Sequence, residues 1–182
     1  MKERRMPDAT IRSAIPDDAE PIRRMQAQSW RETYPSPENG ISREWVEKRT
    51  AEWFEPFDEK MAESRKMLES AIDDPKQFYR VAESNGQIIG IIHGVVREDN
   101  SGHLWAIYTD KSQHGSGLGQ RLVAELDEFF DENNVQRVDL EVASYNDRAI
   151  NFYQKFGFEI VPGSEHFFAE IMPVVNMERR DK

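Results

Sequence analysis

The stretch that decides the reading is His103-Leu104-Trp105-Ala106-Ile107-Tyr108-Thr109-Asp110-Lys111-Ser112-Gln113-His114-Gly115-Ser116-Gly117-Leu118-Gly119-Gln120-Arg121-Leu122. It reads as a buried strand, a short polar turn, a loop with glycine at 115, 117 and 119, and the start of a helix. Glycine at alternate positions lets the backbone approach a ligand with no Cβ in the way. The helix that follows opens with N–H groups that lack an intrahelical acceptor. Loop and helix together predict a cradle of amide donors at the positive end of a helix dipole, suited to a pyrophosphate.

Spacing narrows the choice of ligand. A P-loop requires G-x-x-x-x-G-K-[ST], and no Lys-Ser or Lys-Thr follows these glycines. A dinucleotide fingerprint requires G-x-G-x-x-G, whereas this loop runs G-x-G-x-G. The acidic residue expected about 20 positions downstream of that fingerprint has a counterpart in Glu141, so the loop alone leaves this reading open, along with a plain tight turn.

The surrounding pattern is that of an α/β chain. Thr10 to Ala14 reads as a strand, and Pro16-Asp17-Asp18 opens a helix with Ala19, Ile22, Met25 and Ser29/Trp30 on one face, capped by Asp17 or Asp18. Ser42 caps a second helix, and Asp58 is expected to cap a third that stops at Asp74-Pro75. Two strands, Phe78 to Glu83 and Gln87 to Arg97, meet around Asn85-Gly86, a hairpin signal. The run Ile88-Ile89-Gly90-Ile91-Ile92 is apolar on both faces, as in a covered central strand. Val138, Leu140 and Val142 alternate with Asp139 and Glu141 in a further strand. Ile160-Val161 and one strand over Phe167 to Val174 are expected to close the sheet, and Met177 to Lys182 reads as a charged, mobile tail.

A second motif follows: Asn146-Asp147-Arg148-Ala149-Ile150-Asn151-Phe152-Tyr153-Gln154-Lys155-Phe156-Gly157-Phe158. With it the chain resembles the GCN5-related N-acetyltransferase (GNAT) superfamily, which carries R/Q-x-x-G-x-G/A and, roughly thirty residues later, N-x-x-A-x-x-x-Y-x-x-x-G-F. The first motif is His114 to Gly119; the second is Asn146, Ala149, Tyr153, Gly157 and Phe158. The resemblance is specific from about 78 to 158. It implies an α/β fold, a mixed, splayed central β-sheet flanked by helices on both faces. It implies one domain over 1–182, with a helical acceptor-side segment at about 17–74 and an acetyl-CoA-binding core at about 78–174.

The resemblance also implies roles. Acetyl-CoA is the expected co-substrate, its pyrophosphate on the main-chain amides of Gly115, Gly117, Leu118 and Gly119, with His114, Ser116 and Gln120 alongside. Its pantetheine arm would pair with the edge of the strand holding Ile107, Tyr108 and Thr109. Tyr153 matches the family's general acid, although it also suits a core aromatic beside Phe152 and Phe156. Asn146 would touch the coenzyme arm, cap a helix, or do both. Three positions depart from the pattern: His114 stands where Arg or Gln is usual, Lys111 replaces a frequent Pro, and Thr109 a frequent Val. None removes a backbone amide. For the general base, Glu83, His93 and Glu141 are candidates, as is an ordered water chain. Trp30, Tyr34, Trp45 and Trp53 could line an acceptor pocket, with helix packing favoured for the last two.

Composition sets outer limits. The chain has 182 residues, with 24 Lys+Arg against 34 Asp+Glu, a net charge of −10. That balance argues against nucleic acid and anionic membranes as partners and is compatible with a cationic amine such as a polyamine. With no cysteine there is no thiol nucleophile or disulfide. The four histidines lack metal-site spacing, so no metal is expected. Met1 to Pro7 is charged and without the apolar run of a secretory signal, and a cytoplasmic location is expected. The leading function is transfer of acetyl from acetyl-CoA to a primary amine of a small molecule by direct attack. A non-catalytic acyl-CoA-binding sensor module and a protein or peptide N-acetyltransferase are the alternatives, and the family leaves a homodimer open.

Overall fold

The computed structural model describes residues 9–180; the charged opening Met1 to Pro7 lies outside them. Among the described residues eight strands form one sheet, ordered β1-β2-β3-β4-β5-β8-β6, with β7 also on β8. In chain order these are β1 (Thr10–Ser13), α1 (Ala19–Thr33), α2 (Arg43–Ala51), α3 (Phe57–Asp73), β2 (Gln77–Ser84), β3 (Gln87–Val96), β4 (Gly102–Thr109), α4 (Leu118–Glu132), β5 (Arg137–Ala143), α5 (Asp147–Gln154), β6 (Glu159–Ile160), β7 (His166–Phe168) and β8 (Met172–Arg180). The β2–β3 turn has Asn85 at φ 51° and Gly86 at φ 74°, the pair of left-handed residues that a two-residue hairpin demands.

Helices cover the sheet on both faces, and β3 shows why its sequence is apolar throughout. On one face α4 and α5 bury Ile92, Leu104, Leu122, Leu126, Phe130 and Met177. On the other, α1 and α3 bury Ile91, Val81, Ile22 and Leu68. Glycines in the middle of the sheet let α4 settle close. A Cβ at Gly94 would stand 2.5 Å from a Leu126 methyl, and one at Gly90 would stand 3.2 Å from Leu118. Both α4 residues are almost fully buried. No helix among the described residues is long and apolar enough to cross a membrane.

One feature of the sheet makes room for a site. The pairing of β4 with β5 is the parallel one, and its register holds only for Gly102↔Val138, His103↔Asp139 and Leu104↔Leu140. Beyond Leu104 and Leu140 the two strands separate. On its other edge β4 carries one extra residue opposite β3: His93 faces Ala106, and Gly94 faces Leu104. That bulge at Trp105 bends β4 away from β5 just where pairing stops, since a bulge kinks its strand and increases its twist. The sheet is therefore splayed, as the resemblance implies.

Four local expectations change. The strand foreseen over Phe167 to Val174 is broken by Ala169 (φ 49°) and Glu170 (φ 63°), which turn the chain between β7 and β8. Residues Met177 to Arg180, read as a mobile tail, complete β8; Met177 is fully buried and Arg179 pairs with Asp127. That segment is held because β8 lies between β5 and β6. Asp181 and Lys182 lie outside the described residues. The third helix begins at Phe57 after Pro56, so Asp58 sits inside it instead of capping it. Asp18 does not cap α1 through its side chain; its carboxylate accepts from the Ile15 amide at 2.9 Å and from the Arg12 guanidinium. Ser42 caps α2 as expected, accepting from the Trp45 amide at 3.0 Å.

Candidate active site

The splay opens into a cleft of about 1120 Å³ that runs from the glycine loop, between β4 and β5, to the far face of the sheet. The loop is built residue by residue. Asp110 ends β4 and accepts from the Ser112 amide at 2.8 Å and the Ser112 hydroxyl at 2.6 Å, which hold its carboxylate below the usual range. Gly115 (φ 78°) and Gly117 (φ 89°) are both left-handed, and Gly117 is the N-cap of α4. A side chain at either would be strained. Arg121 is the first residue of α4 whose amide reaches back, 3.1 Å to the Gly117 carbonyl. The amides of Gly119 and Gln120 belong to the open first turn, and both residues line the cleft.

The glycines do different jobs, which their spacing alone did not separate. Gly119 has ordinary helical backbone, and a Cβ there would stand 3.2 Å from the Phe152 ring, so its small size lets α4 and α5 close on each other. Ser116 and Leu118 are not among the residues lining the cleft. The Ser116 hydroxyl accepts from the Leu118 amide at 3.3 Å, and the Leu118 side chain is in the core. The residues of the loop and first turn that face the cleft, besides His114, are thus Gly115, Gly117, Gly119 and Gln120, at the N-terminus of a 15-residue helix. Arg148, Lys155 and His114 also line the cleft. His114 and Arg148 are hydrogen-bonded, and burial, followed by the Arg148 charge, lowers the His114 pKa. Backbone amides, a helix dipole and two permanent cations fit a pyrophosphate. Arg148 and Lys155 were overlooked in the sequence; their seven-residue separation, two turns on one face of the motif segment, was the available signal.

From the loop the cleft follows the free edge of β4. Ile107, Tyr108 and Thr109 all line it. Ile107 packs towards α4, while Tyr108 turns to the α1 side, where its hydroxyl accepts from the Trp30 indole N–H at 2.9 Å. An aromatic wall continues from there: the Trp30 ring meets Tyr34 at 4.7 Å, Trp53 at 5.1 Å and Phe168 at 6.0 Å. Tyr145 donates to the Tyr34 carbonyl at 2.9 Å. Trp30, Tyr34 and Phe168 line the cleft; Trp45 and Trp53 pack behind them.

Tyr153 enters from α5. Asn146 caps this helix, accepting from the Ala149 amide at 3.2 Å, and Gly157 (φ 81°) follows its end. The Tyr153 ring packs edge-on to Phe152 and Phe158, yet it also lines the cleft, so core packing and exposure to the site coexist. Burial, with a smaller contribution from Tyr108, pushes its phenol pKa above the ordinary value. The group therefore carries its proton at neutral pH.

The three candidate bases separate. Glu83 is on β2, between β1 and β3, paired with Arg12 at 2.8 Å, and does not line the cleft. His93 lies under helices α1 and α3, stacked on Tyr79 with ring centroids 4.6 Å apart and bonded to the Gln77 amide oxygen at 3.0 Å; it too is absent from the cleft lining. Glu141 does line it, bonded to His166 at 2.7 Å. Three more groups line the cleft: Arg97, His103 and Asp139. The alternation of β5 could have marked Asp139, which shares a face with Glu141, but only the fold brings His103 to it.

The chain matches the model of the acetyltransferase (GNAT) family over residues 22–158. It is similar in structure to the PaiA N-acetyltransferase of Thermoplasma acidophilum, solved in complex with coenzyme A, with a TM-score of 0.77 at 20% identity over 96% of this chain and 99% of that one. The ribosomal-protein-S18-alanine N-acetyltransferase of Escherichia coli gives a TM-score of 0.62 at 18% identity, covering 94% and 93%. At these identities the likeness is one of fold. In sequence, 92 residues are 32% identical to the mycothiol acetyltransferase of Acidimicrobium ferrooxidans, spanning 48% of this chain and 29% of that relative. With the family model covering most of its length, the chain belongs to the acetyltransferase (GNAT) family.

Proposed function

We propose that the protein transfers the acetyl group of acetyl-CoA to a primary amine of a small molecule by direct attack. The observation that carries this reading is the continuity of the cleft. One space joins the amide cradle at Gly115, Gly117, Gly119 and Gln120, the open edge of β4, the Tyr153 phenol and the wall of Trp30, Tyr34 and Phe168. The cradle and its cations would hold the pyrophosphate. Main-chain groups of residues 107–109 would pair with the pantetheine amides and aim the thioester inward. Asn146, fixed by its cap bond, lines the passage. The Trp30 and Tyr108 side chains are bonded to each other and, with Tyr34 and Phe168, make a pre-shaped aromatic wall, suited to a small acceptor.

Thioester aminolysis needs a proton removed from the amine and one returned to the departing sulfur. We assign the second task to Tyr153, whose buried phenol lines the cleft and carries its proton at neutral pH. A screen of free-thiol release across polyamines, aminoglycosides, amino acids and peptides tests the proposal. Release with small amines supports it. Release with peptides alone would make the protein a peptide acetyltransferase, and tight coenzyme binding with no release would make it a sensor.

A further inference from the structure

The proposed chemistry leaves one proton without a destination, and the vertex of the splay holds a pair of residues without a task. Pairing between β4 and β5 ends at Leu104↔Leu140, and His103↔Asp139 is the pair just inside. His103 Nδ1 is hydrogen-bonded to Asp139, whose carboxylate is also gripped by both terminal nitrogens of Arg97. The Trp105 ring stands edge-on to the imidazole with centroids 4.4 Å apart. The His103 side chain is only 12% exposed, yet both it and Asp139 line the cleft. A ligand arm that starts at the glycine loop and follows the free edge of β4 is led to this vertex, because the open edge runs from Thr109 back to Trp105, roughly 13 Å at strand rise.

We propose that His103 is the general base that takes the proton from the acceptor amine, and that Asp139 and Arg97 are its positioning residues. This rests on the acetyl-transfer reading above. With Nδ1 engaged by a carboxylate, the imidazole is fixed in one tautomer and Nε2 is its proton acceptor. Arg97 orients the carboxylate through two hydrogen bonds to its two oxygens. Protons and bonds balance. The ammonium gives one proton to His103, which releases it to water. As the nitrogen–carbonyl bond forms and the carbon–sulfur bond breaks, Tyr153 protonates the sulfur, and the second nitrogen proton replaces the one Tyr153 gave, through water in the cleft. The products are the amide, the free thiol and one proton released.

The charged and titratable groups facing His103 are Asp139 and Glu141 on β5, Arg97 after β3, His93 on β3 and Glu178, which is paired with Asp139 across β8. His103→Gln should lower kcat by about 100-fold or more, leave acetyl-CoA affinity unchanged, and abolish the acidic limb of the kcat/KM–pH profile. Asp139→Asn should lower kcat while leaving KM for the amine and acetyl-CoA affinity unchanged, since the imidazole loses the carboxylate that fixes its tautomer. In 15N-histidine spectra, the resonance missing from His103→Gln should shift when acetyl-CoA is added to wild-type protein. Wild-type kcat with an unchanged acidic limb in His103→Gln, or no response of that resonance to the coenzyme, overturns the proposal alone. Absence of thiol release from wild type with every amine overturns the acetyl-transfer reading and this proposal with it.

Discussion

Replacing His93 by phenylalanine should remove a large part of the acid sensitivity of this fold. His93 lies between the sheet and helices α1 and α3, with its ring stacked on buried Tyr79 and its Nε2 bonded to Gln77. Burial, and secondarily the neighbouring His103, lower its pKa to about 4. In the unfolded chain a histidine titrates near about 6.5. Between those two values the unfolded state binds a proton that the native state refuses. The stability contributed by the neutral ring is therefore complete above about pH 6.5 and is lost as pH falls towards about 4, below which it changes no further. At about 1.4 kcal/mol for each tenfold difference in proton affinity, the loss amounts to about 3 kcal/mol, a sizeable part of a domain's total. Phenylalanine keeps an aromatic ring on Tyr79 and forfeits the Gln77 bond, a cost that does not depend on pH. Urea unfolding followed by tryptophan fluorescence, at neutral pH and at about pH 4, should show wild type losing about 3 kcal/mol more than His93→Phe. Parallel losses in the two proteins would refute the account of His93 as a buried neutral histidine.

Three further outcomes follow from the cleft. Gly117→Glu puts an L-residue at φ 89° and a carboxylate in the amide cradle; calorimetry should show acetyl-CoA binding lost while far-ultraviolet dichroism stays that of the wild type, and unchanged affinity would remove the loop assignment. Tyr153→Phe should lower kcat by about 100-fold or more with the coenzyme dissociation constant unaltered, and equal turnover would exclude it as the acid. Asn146→Ala deletes the cap of α5, so denaturant unfolding should report a loss of about 1 kcal/mol; an unaltered midpoint would show that the cap bond contributes nothing to stability.

The strands and helices were largely legible because they are written in local chemistry. The Asn85-Gly86 turn and the two-sided apolar run at Ile88 to Ile92 each follow from backbone sterics or periodicity. The misread segments are those held by distant partners. Met177 to Arg180 is charged at three of four positions, yet it becomes strand because β5 and β6 flank it, and Arg179 finds Asp127 and the Phe158 ring. A single strand was expected from Phe167 to Val174 because left-handed Ala169 and Glu170 carry no glycine or asparagine to announce them. In the site, Glu83 and His93 had suitable chemistry on suitable strands, but sheet order and the cover of α1 and α3, not residue type, put them outside the cleft.

By itself the sequence determined the identity of the loop and of the motif helix, because a left-handed glycine, a helix cap and a buried phenol leave marks in residue type at fixed local spacing. Which side chains share the cleft was decided by tertiary structure alone. The bulge at Trp105, the loss of β4–β5 pairing after Leu104, and the meeting of His103 with Asp139, 36 residues apart, depend on how two strands separate over α4. A linear pattern carries no record of a gap between strands, because a gap belongs to the packing of elements and not to any one of them.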